Sequence, residues 1–394
     1  MRLPVCYGLA GGCLCGNRPV ILHILRESAK CNLDARDAWR EWVRPLEAVP
    51  QEIGTRLLRS TAPTLSRGRE RHVVTTSVII PAHNEERYLP HLLRSLARYG
   101  PQNAEIIVVD NGSTDRTAQI AATFNARVVA CERVYPGIAR NVGARAVGGD
   151  ILVFLDADVE LTEEWQKTWV ECERALTVDP WQLFGSICDI SRDPSRIERI
   201  WFAPMRKRKR SHVDGANIIM SRQLFEHIGG FDESLETGED VELCQRVRAS
   251  ASHVTLCDGL KVYHNGYPRT VIAFIKRERW HGRGDLGSLR CVVKSKVVIA
   301  TVLFAVFNLG ALVALCIRDW VGQGLCDAGI FCLCVLGAKR ATGSGRLQAI
   351  ALAYCYYIGR LLSIISVFQS FVTSPRRRDA TPGHCSHRQH WRVK

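Results

Sequence analysis

The apolar residues of the chain fall into two alternating patterns from Val73 onward. Short apolar runs, such as residues 77–81 and 151–155, are typical of buried strands. Between such runs lie stretches with helical spacing, and residues 85–99 carry an apolar side chain at roughly every third or fourth position. This alternation predicts an α/β fold, with a mainly parallel sheet and helices on both of its faces.

The alternation continues to about His264. The elements predicted there are a helix from Glu163 to about Thr177, a strand at 181–190, a strand at 216–220, a helix at 240–248 and a strand at 260–264. Residues 1–72 lack a comparable pattern, and we predict for them an N-terminal extension to which the sequence assigns no role.

The chain becomes strongly apolar beyond residue 290. Residues 297–317 carry no charge, and about 20 such residues span the hydrocarbon core of a bilayer as a helix. Residues 347–372 form a second candidate span, although Arg360 within it needs a partner. The stretch 325–338 is shorter and fits a short span, a re-entrant piece or an interfacial helix. We predict a membrane region at 291–374 with two or three hydrophobic helices, and a basic tail at 375–394.

The net charge of +14 indicates an anionic partner, which could be a nucleic acid, a membrane surface or a phosphorylated substrate. The sequence contains no recognisable nucleic-acid-binding motif, so we expect no nucleic-acid partner. Five consecutive basic residues at 206–210 follow Trp201 and Phe202, a combination that suits an anionic membrane surface. The sixteen cysteines are irregularly spaced, which favours reduced, structural thiols over a zinc site.

Acidic residues follow two of the predicted elements. Asp156 and Asp158 come directly after the apolar run at 151–155, and Glu239 and Asp240 open the helix near residue 240. Two aspartates separated by one residue on an extended segment point the same way, and their hard oxygens suit Mg²⁺ or Mn²⁺. A separate carboxylate could act as a general base. A solvated turn and ordinary helix-start acids are the simpler alternatives.

Six short motifs occur in a fixed order along this region. They are PAHNEE at 81–86, VDNGSTD at 109–115, GIARNVG at 137–143, DAD at 156–158, GGFDE at 229–233 and GED at 238–240. Together they resemble the inverting glycosyltransferases of family 2, which have the GT-A fold, over roughly half of the chain. The resemblance implies that residues 73–290 form a GT-A domain and that the enzyme uses a nucleotide sugar, a UDP- or GDP-sugar.

The resemblance also implies roles for individual residues. The donor-binding residues it implies are Pro81, Ala82, Glu85, Asp110, Asn111, Arg140 and Asp156. The metal ligands it implies are Asp158, Asp156 and His264, for Mn²⁺ or Mg²⁺. The catalytic residues it implies are Asp240, as the base, and Glu239 beside it.

Residues 276–280 are similar to the Gln-x-x-Arg-Trp motif of processive polysaccharide synthases. Lysine replaces the glutamine at Lys276, which puts processive synthesis in doubt. Arg279 and Trp280 keep the last two positions of the motif and are expected on the acceptor side. The alternative is that both belong to a basic helix at the membrane surface.

The sequence therefore predicts a metal-dependent inverting glycosyltransferase with a lipid-linked or envelope-glycan acceptor. One alternative is a nucleotidyltransferase on a related fold, but such enzymes usually carry a Gly-rich, Arg-containing loop where this chain has residues 81–85. Another alternative is a non-catalytic membrane protein that binds nucleotide sugars.

We place the catalytic domain on the cytosolic side of the inner or plasma membrane. The arginines at 376–378 favour a cytosolic tail by the positive-inside rule, so we predict an even number of crossings, two. Lys339, Arg340 and Arg346 conflict with this topology if 297–317 and 347–372 are the two spans, because all three would then lie outside.

Overall fold

The computed structural model describes residues 74–206, 210–286, 292, 295–339 and 345–373. The N-terminal extension, the basic tail and residues 207–209 of the polybasic run lie outside the described residues, so the roles predicted for them stay predictions. The two ends of that run are described: Arg206 pairs with Asp189 at 2.7 Å and Arg210 pairs with Asp214 at 2.9 Å.

The α/β domain contains ten strands and eight helices among the described residues. Its first half comprises β1 (Thr76–Ala82), α1 (Leu89–Tyr99), β2 (Glu105–Asn111), α2 (Thr117–Thr123), β3 (Arg127–Cys131), α3 (Pro136–Ala146), β4 (Ile151–Leu155), β5 (Val159–Leu161) and α4 (Glu163–Val178). Its second half comprises β6 (Gln182–Gly185), β7 (Asp189–Ile190), a π-helical turn (Glu198–Phe202), α5 (Ala203–Arg206), β8 (Asn217–Ser221), α6 (Arg222–His227), α7 (Glu239–Ala249), β9 (His253–Leu256), β10 (Val262–His264) and α8 (Val271–Gly284).

Seven of the strands form one sheet in the order β3-β2-β1-β4-β8-β6-β9. Strand β8 runs antiparallel to both of its neighbours, and the other pairs are parallel. Side chains alternate between the two faces, so Val78 and Ile80 join one hydrophobic cluster while Ile79 joins the other. The predicted α/β fold with a mainly parallel sheet is confirmed.

A second, three-stranded sheet has the order β5-β10-β7. The prediction of one strand at 181–190 is wrong. Two strands lie there, because the chain leaves the large sheet after Gly185 and enters the small sheet at Asp189. The carboxylate of Asp214 accepts a hydrogen bond from the backbone of Cys188 at 2.9 Å and supports this bend. The strands β5 and β9 and the helix α8 were not predicted, since the two strands are only three and four residues long.

Three helices follow the α/β domain: α9 (Lys296–Cys316), α10 (Trp320–Ala338) and α11 (Arg346–Thr373). All three are long and apolar enough to cross a membrane by length and composition. Helix α10 begins five residues before the predicted stretch 325–338, because Asp319 caps its N-terminus by accepting a hydrogen bond from Gly322. The described residues thus hold three candidate spans, one more than the number of crossings predicted.

Arg360 of α11 is paired, as we expect of an arginine within an apolar helix. Its guanidinium contacts Glu278 at 3.0 Å and Asp285 at 2.7 Å, both in or directly after α8. The α/β domain and the apolar helices are therefore joined by a charge network as well as by apolar packing.

Candidate functional site

The carboxyl ends of β1 and β2 lie side by side, with Ala82 in register with Asp110. The loops that follow these strands are tied together by Asn84, which has a left-handed backbone (φ 57°) and accepts a hydrogen bond from Thr114 at 2.8 Å. Glu85 donates its backbone N–H to the hydroxyl of Thr117 at 2.8 Å. The parallel pairing thus places four of the residues predicted to bind the donor at one sheet edge: Pro81, Ala82, Glu85 and Asp110.

Asn111 is buried at the end of β2 and makes structural contacts. Its amide oxygen accepts a hydrogen bond from the backbone of Val134 at 2.8 Å, and its amide nitrogen donates to the carbonyl of the same residue at 2.9 Å. Both polar atoms are thereby paired with the segment before α3. These hydrogen bonds hold the end of β2 against the segment before α3. The predicted donor contact of Asn111 stays a prediction.

Asp156 and Asp158 follow β4 and face different partners. Asp156 accepts a hydrogen bond from Arg140 at 2.6 Å, whereas Oδ2 of Asp158 lies 3.6 Å from Nδ1 of His264. The second contact arises because β10 pairs antiparallel with β5, which sets His264 opposite Val159. A Cβ at Gly266 would overlap the Asp158 carboxylate, so glycine allows the loop after β10 to approach that closely.

The carboxylates of this edge repel one another. Burial, followed by the charges of Asp158 and Asp156, raises the pKa of Glu85 to about 8. Burial also raises the pKa of Asp158, and nearby His264 acts in the opposite direction. A bound cation would relieve this repulsion.

The chemistry of these side chains fits a divalent cation. Nδ1 of His264 is buried and has no hydrogen-bond partner, and the adjacent Asp158 supplies a hard oxygen ligand. The described residues contain no ready cluster of three or more His, Cys, Asp or Glu ligands. A two-residue site is nevertheless usual for Mg²⁺, whose remaining ligands are waters and substrate phosphates. Asp158 and His264 could hold the ion, together with the oxygen of Asp156 that Arg140 leaves open.

Asp240 lies at the N-terminus of α7, after Gly238 in a left-handed conformation (φ 82°). Its Oδ2 accepts a hydrogen bond from the backbone of Gly215 at 3.0 Å, and its Oδ1 accepts one from Val241 at 2.8 Å. Burial, followed by the charge of Glu239, raises the pKa of Asp240 to about 6. A fixed carboxylate with this pKa is ionised near neutrality and basic enough to accept a proton.

Arg140 links the acidic residues of β4 and α7. Its side chain is 3% exposed and contacts Asp156 at 2.6 Å and Glu239 at 2.7 Å. The guanidinium also lies over the ring of Phe231 at 5.4 Å. Burial alone would lower the pKa of Arg140, but the two carboxylates outweigh it and raise the pKa. Arg140 and Glu239 therefore form a buried ion pair beneath the cleft; the donor-binding and catalytic roles predicted for them stay predictions.

Arg279 and Trp280, the residues expected on the acceptor side, lie on the exposed face of α8. Arg277 of the same helix points toward the α/β domain, where its guanidinium lies over the rings of Phe202 at 4.8 Å and Tyr267 at 5.6 Å. The ring of Tyr267 in turn stacks on His264 at 4.4 Å. The ring of Tyr267 thus connects Arg277 to His264. The side chain of Arg277 is 29% exposed.

Sequence reasoning missed Arg277 and Tyr267. Helical spacing over residues 271–284 would have indicated Arg277, because Phe274 and His281, three and four positions away, share its side of the helix. Burial, followed by the positive charge of Arg277, lowers the pKa of His281 well below its ordinary value.

Residues 77–229 match the family model described as glycosyl transferase family 2. The 4,4'-diaponeurosporenoate glycosyltransferase of Staphylococcus haemolyticus is 44% identical over 110 residues, which cover 25% of this chain and 29% of that protein. Glycosyltransferase AglE of Haloferax volcanii is 28% identical over 225 residues, which cover 53% of this chain and 72% of AglE. The chain thus spans less than a third of the first relative and about 72% of the second.

Among solved structures, the mannosyltransferase PcManGT of Pyrobaculum calidifontis, in complex with GDP-Man and Mn²⁺, superposes with a TM-score of 0.48 and 16% identity. That match covers 80% of this chain and 94% of PcManGT.

Proposed function

We propose that this glycosyltransferase, which contains a family 2 domain at residues 77–229, transfers one sugar from a nucleotide sugar to a lipid-linked or envelope-glycan acceptor at a membrane. We further propose that the transfer depends on a divalent metal and inverts the anomeric configuration. The observation that carries the proposal is a connected set of charged groups: Asp158 lies 3.6 Å from His264, its charge acts on Glu85, and Arg140 joins Asp156 to Glu239. Asp240 directly follows Glu239 in the chain.

The donor would lie across the ends of β1, β2 and β4, where ligands of open α/β sheets bind. Asp110 and Glu85 offer carboxylate oxygens to the hydroxyls of the ribose and the N–H groups of the base. The backbone at Pro81 and Ala82 forms the floor beside them. Mutual repulsion of the acids would disfavour an anionic diphosphate unless a cation entered with it.

Mn²⁺ or Mg²⁺, bound by Asp158 and His264 with Asp156, would supply positive charge to the diphosphate of the donor. Arg140 would hold Asp156 in place without consuming both of its oxygens. The segment at 156–158 is a turn and not the extended segment that was predicted: the backbone of Val159 donates to the carbonyl of Asp156 at 3.3 Å, and the two carboxylates therefore face different partners.

Asp240 would accept the proton of the acceptor hydroxyl. The acceptor oxygen forms a bond to the anomeric carbon while the bond from that carbon to the diphosphate oxygen breaks. The electron pair leaves with the nucleoside diphosphate, and the configuration at the anomeric carbon inverts. Hydrogen bonds from Gly215 and Val241 fix the carboxylate, so no reorganisation of the base is needed at the moment of transfer.

The first test is release of nucleoside diphosphate from a panel of UDP- and GDP-sugars, with Mn²⁺ or Mg²⁺ and membrane lipid extract as the source of acceptor. We expect release from one donor, its loss on addition of EDTA, and its recovery when excess Mn²⁺ is restored. A parallel assay with nucleoside triphosphates and sugar 1-phosphates covers the alternative, because a nucleotidyltransferase would join the two and release inorganic diphosphate from the triphosphate. Binding of a donor without any release across all extracts would indicate a non-catalytic binding protein.

We expect Arg277 to contribute more to substrate binding, measured as KM, than Arg279 of the same helix. A charge-assisted hydrogen bond to a phosphate contributes about 1.5–3 kcal/mol, so Arg277→Ala should raise the KM of the donor or of an anionic acceptor about 10- to 100-fold. Arg279→Ala removes the same charge from an exposed position of the same helix, where the acceptor side is expected, and should change the KM of the donor less than about two-fold. Steady-state kinetics with each substrate varied in turn would measure both values; equal effects of the two variants would contradict the assignment.

A further inference from the structure

Helix α11 contacts the α/β domain at two points that are fifteen positions apart along the helix. Near its start, Gln348 accepts a hydrogen bond from Arg196 at 3.2 Å. Further on, Ser363 lies so close to α8 that a Cβ at Gly282 would overlap its hydroxyl. Fifteen residues of α-helix extend about 22 Å, most of the roughly 30 Å thickness of a hydrocarbon core. A helix that crossed the bilayer would carry one of these contacts into the membrane interior.

The contacts between these two points are continuous. Tyr356 packs against Trp201 with 5.5 Å between ring centroids. A Cβ at Gly359 would come within 2.8 Å of the Cβ of Glu278, so glycine lets the two helices approach closely. Residues 359–360 meet Glu278 and residue 363 meets Gly282, which means that α8 and α11 run side by side in the same direction.

The helix that α11 follows is highly charged. Arg360 is held by Glu278, whose side chain is 4% exposed, and by Asp285. The other charged residues of α8 are Lys276, Arg277, Arg279 and Arg283. Placing so many ionisable groups at the depth of the hydrocarbon core would be very costly. The part of α11 that follows α8 therefore belongs at the level of the α/β domain.

The face of α11 that points away from α8 is largely apolar, and its middle part crosses α9, where the hydroxyl of Tyr354 donates a hydrogen bond to Asn308 at 3.1 Å. The apolar residues that are more than a third exposed are Leu347, Tyr354, Leu362, Ile365 and Phe368. Their intervals of seven, eight, three and three positions keep them on one side of a helix. One face packed on a polar domain and one continuous apolar face are typical of a helix that lies in the plane of a membrane surface.

We propose that, of the three candidate spans, α9 and α10 cross the membrane as a hairpin, while α11 lies on the membrane surface with its apolar face in the acyl boundary. Two crossings put the α/β domain, the segment at 339–346 and the arginines at 376–378 on one side. All of these basic residues then obey the positive-inside rule, and the conflict raised by Lys339, Arg340 and Arg346 disappears. The proposal does not depend on the transferase chemistry.

Depth measurements on the full-length protein would test the proposal. The protein is reconstituted in vesicles of phosphatidylcholine with phosphatidylglycerol. Spin labels are introduced as an unnatural amino acid, which leaves the sixteen cysteines in place. Collision rates with oxygen and with a water-soluble nickel chelate report the depth of each label. Labels at Leu347, Leu362, Ile365 and Phe368 should all lie at one shallow depth.

Helix α9 provides the matched control, because Ile299, Val306 and Val313 are about equally exposed on it. There the label at Val306 should be the deepest, with shallower positions on either side. The same profile on α11, with Leu362 and Ile365 deep and Leu347 and Phe368 shallow, would overturn the proposal. Labels on α11 that collide freely with the nickel chelate, as in water, would overturn it too.

Discussion

Replacing Asp240 by asparagine is expected to lower kcat by about 10²- to 10⁴-fold, the usual contribution of a positioned general base. The substitution keeps the size of the side chain and one oxygen that can accept the hydrogen bond from Gly215. Donor binding should therefore change less than about two-fold, because the lost interaction operates only as the acceptor proton is transferred. Steady-state release of nucleoside diphosphate gives kcat, and a separate equilibrium titration gives the donor affinity.

Glu242 offers the control for this substitution, since it lies in the same acidic first turn of α7 and is paired with Arg246 at 2.5 Å. Glu242→Gln removes an identical charge from the helix start and should leave kcat within about two-fold, because a partly exposed ion pair contributes little. If Asp240→Asn kept more than about a tenth of the wild-type kcat, another group would have to be the base.

The pH profile provides an independent readout of the same residue. Only the ionised carboxylate can accept a proton, and the pKa of Asp240 is raised to about 6 by burial and then by Glu239. Wild-type kcat/KM should therefore be constant above pH 6 to 7 and fall about ten-fold per pH unit below the pKa. The residual activity of Asp240→Asn should lack this inflection.

The strand-end residues of the cleft could be predicted from the sequence because their positions depend on local pattern. The residues of β1 and β4 are almost all buried, as continuous apolar runs in a parallel sheet require. Residues that directly follow parallel strands lie at the same edge of the sheet. Glu85, Asp110 and Asp158 are therefore close together without any need to know the loops between them.

The role of Arg140 could not be predicted in this way. Its partners lie 16 and 99 positions away, and nothing in the local sequence of α3 marks this arginine as buried. The contact between His264 and Asp158 also depends on the pairing of β10 with β5, and β5 has only three residues, too few to leave a clear pattern. Long-range pairing of short elements is the step that single-sequence reasoning cannot supply.

The apolar C-terminal helices show a different limit. Hydropathy counts apolar side chains without regard to what covers them, and the domain-facing side of α11 is itself largely apolar or small. Tyr356, Gly359 and Ser363 all contact the α/β domain on that side. A helix shared between a protein surface and a membrane surface therefore resembles a spanning helix in sequence, and only its contacts separate the two.

Replacing Arg140 by leucine is expected to destabilise the α/β domain strongly. The side chain is 3% exposed and neutralises both Asp156 and Glu239, and Glu239 is 9% exposed. Removing one partner of a buried ion pair leaves an uncompensated charge, at a cost of about 3–5 kcal/mol. For a domain of this size the apparent Tm should fall by roughly 10 °C, which thermal unfolding of the purified protein in detergent would measure.

Arg145 is the matched control for this change, because it lies on the same helix and pairs with Glu233 at the surface, where the two side chains are 60% and 49% exposed. Arg145→Leu should lower the Tm by no more than a few degrees, since an exposed pair contributes about 0–1 kcal/mol. The double variant Arg140→Leu with Glu239→Gln should recover part of the loss, because it removes one of the two unpaired charges. Equal losses for Arg140→Leu and Arg145→Leu would show that the buried network does not hold β4 and α7 together, and the position of Asp240 would then have to rest on the backbone of α7 alone.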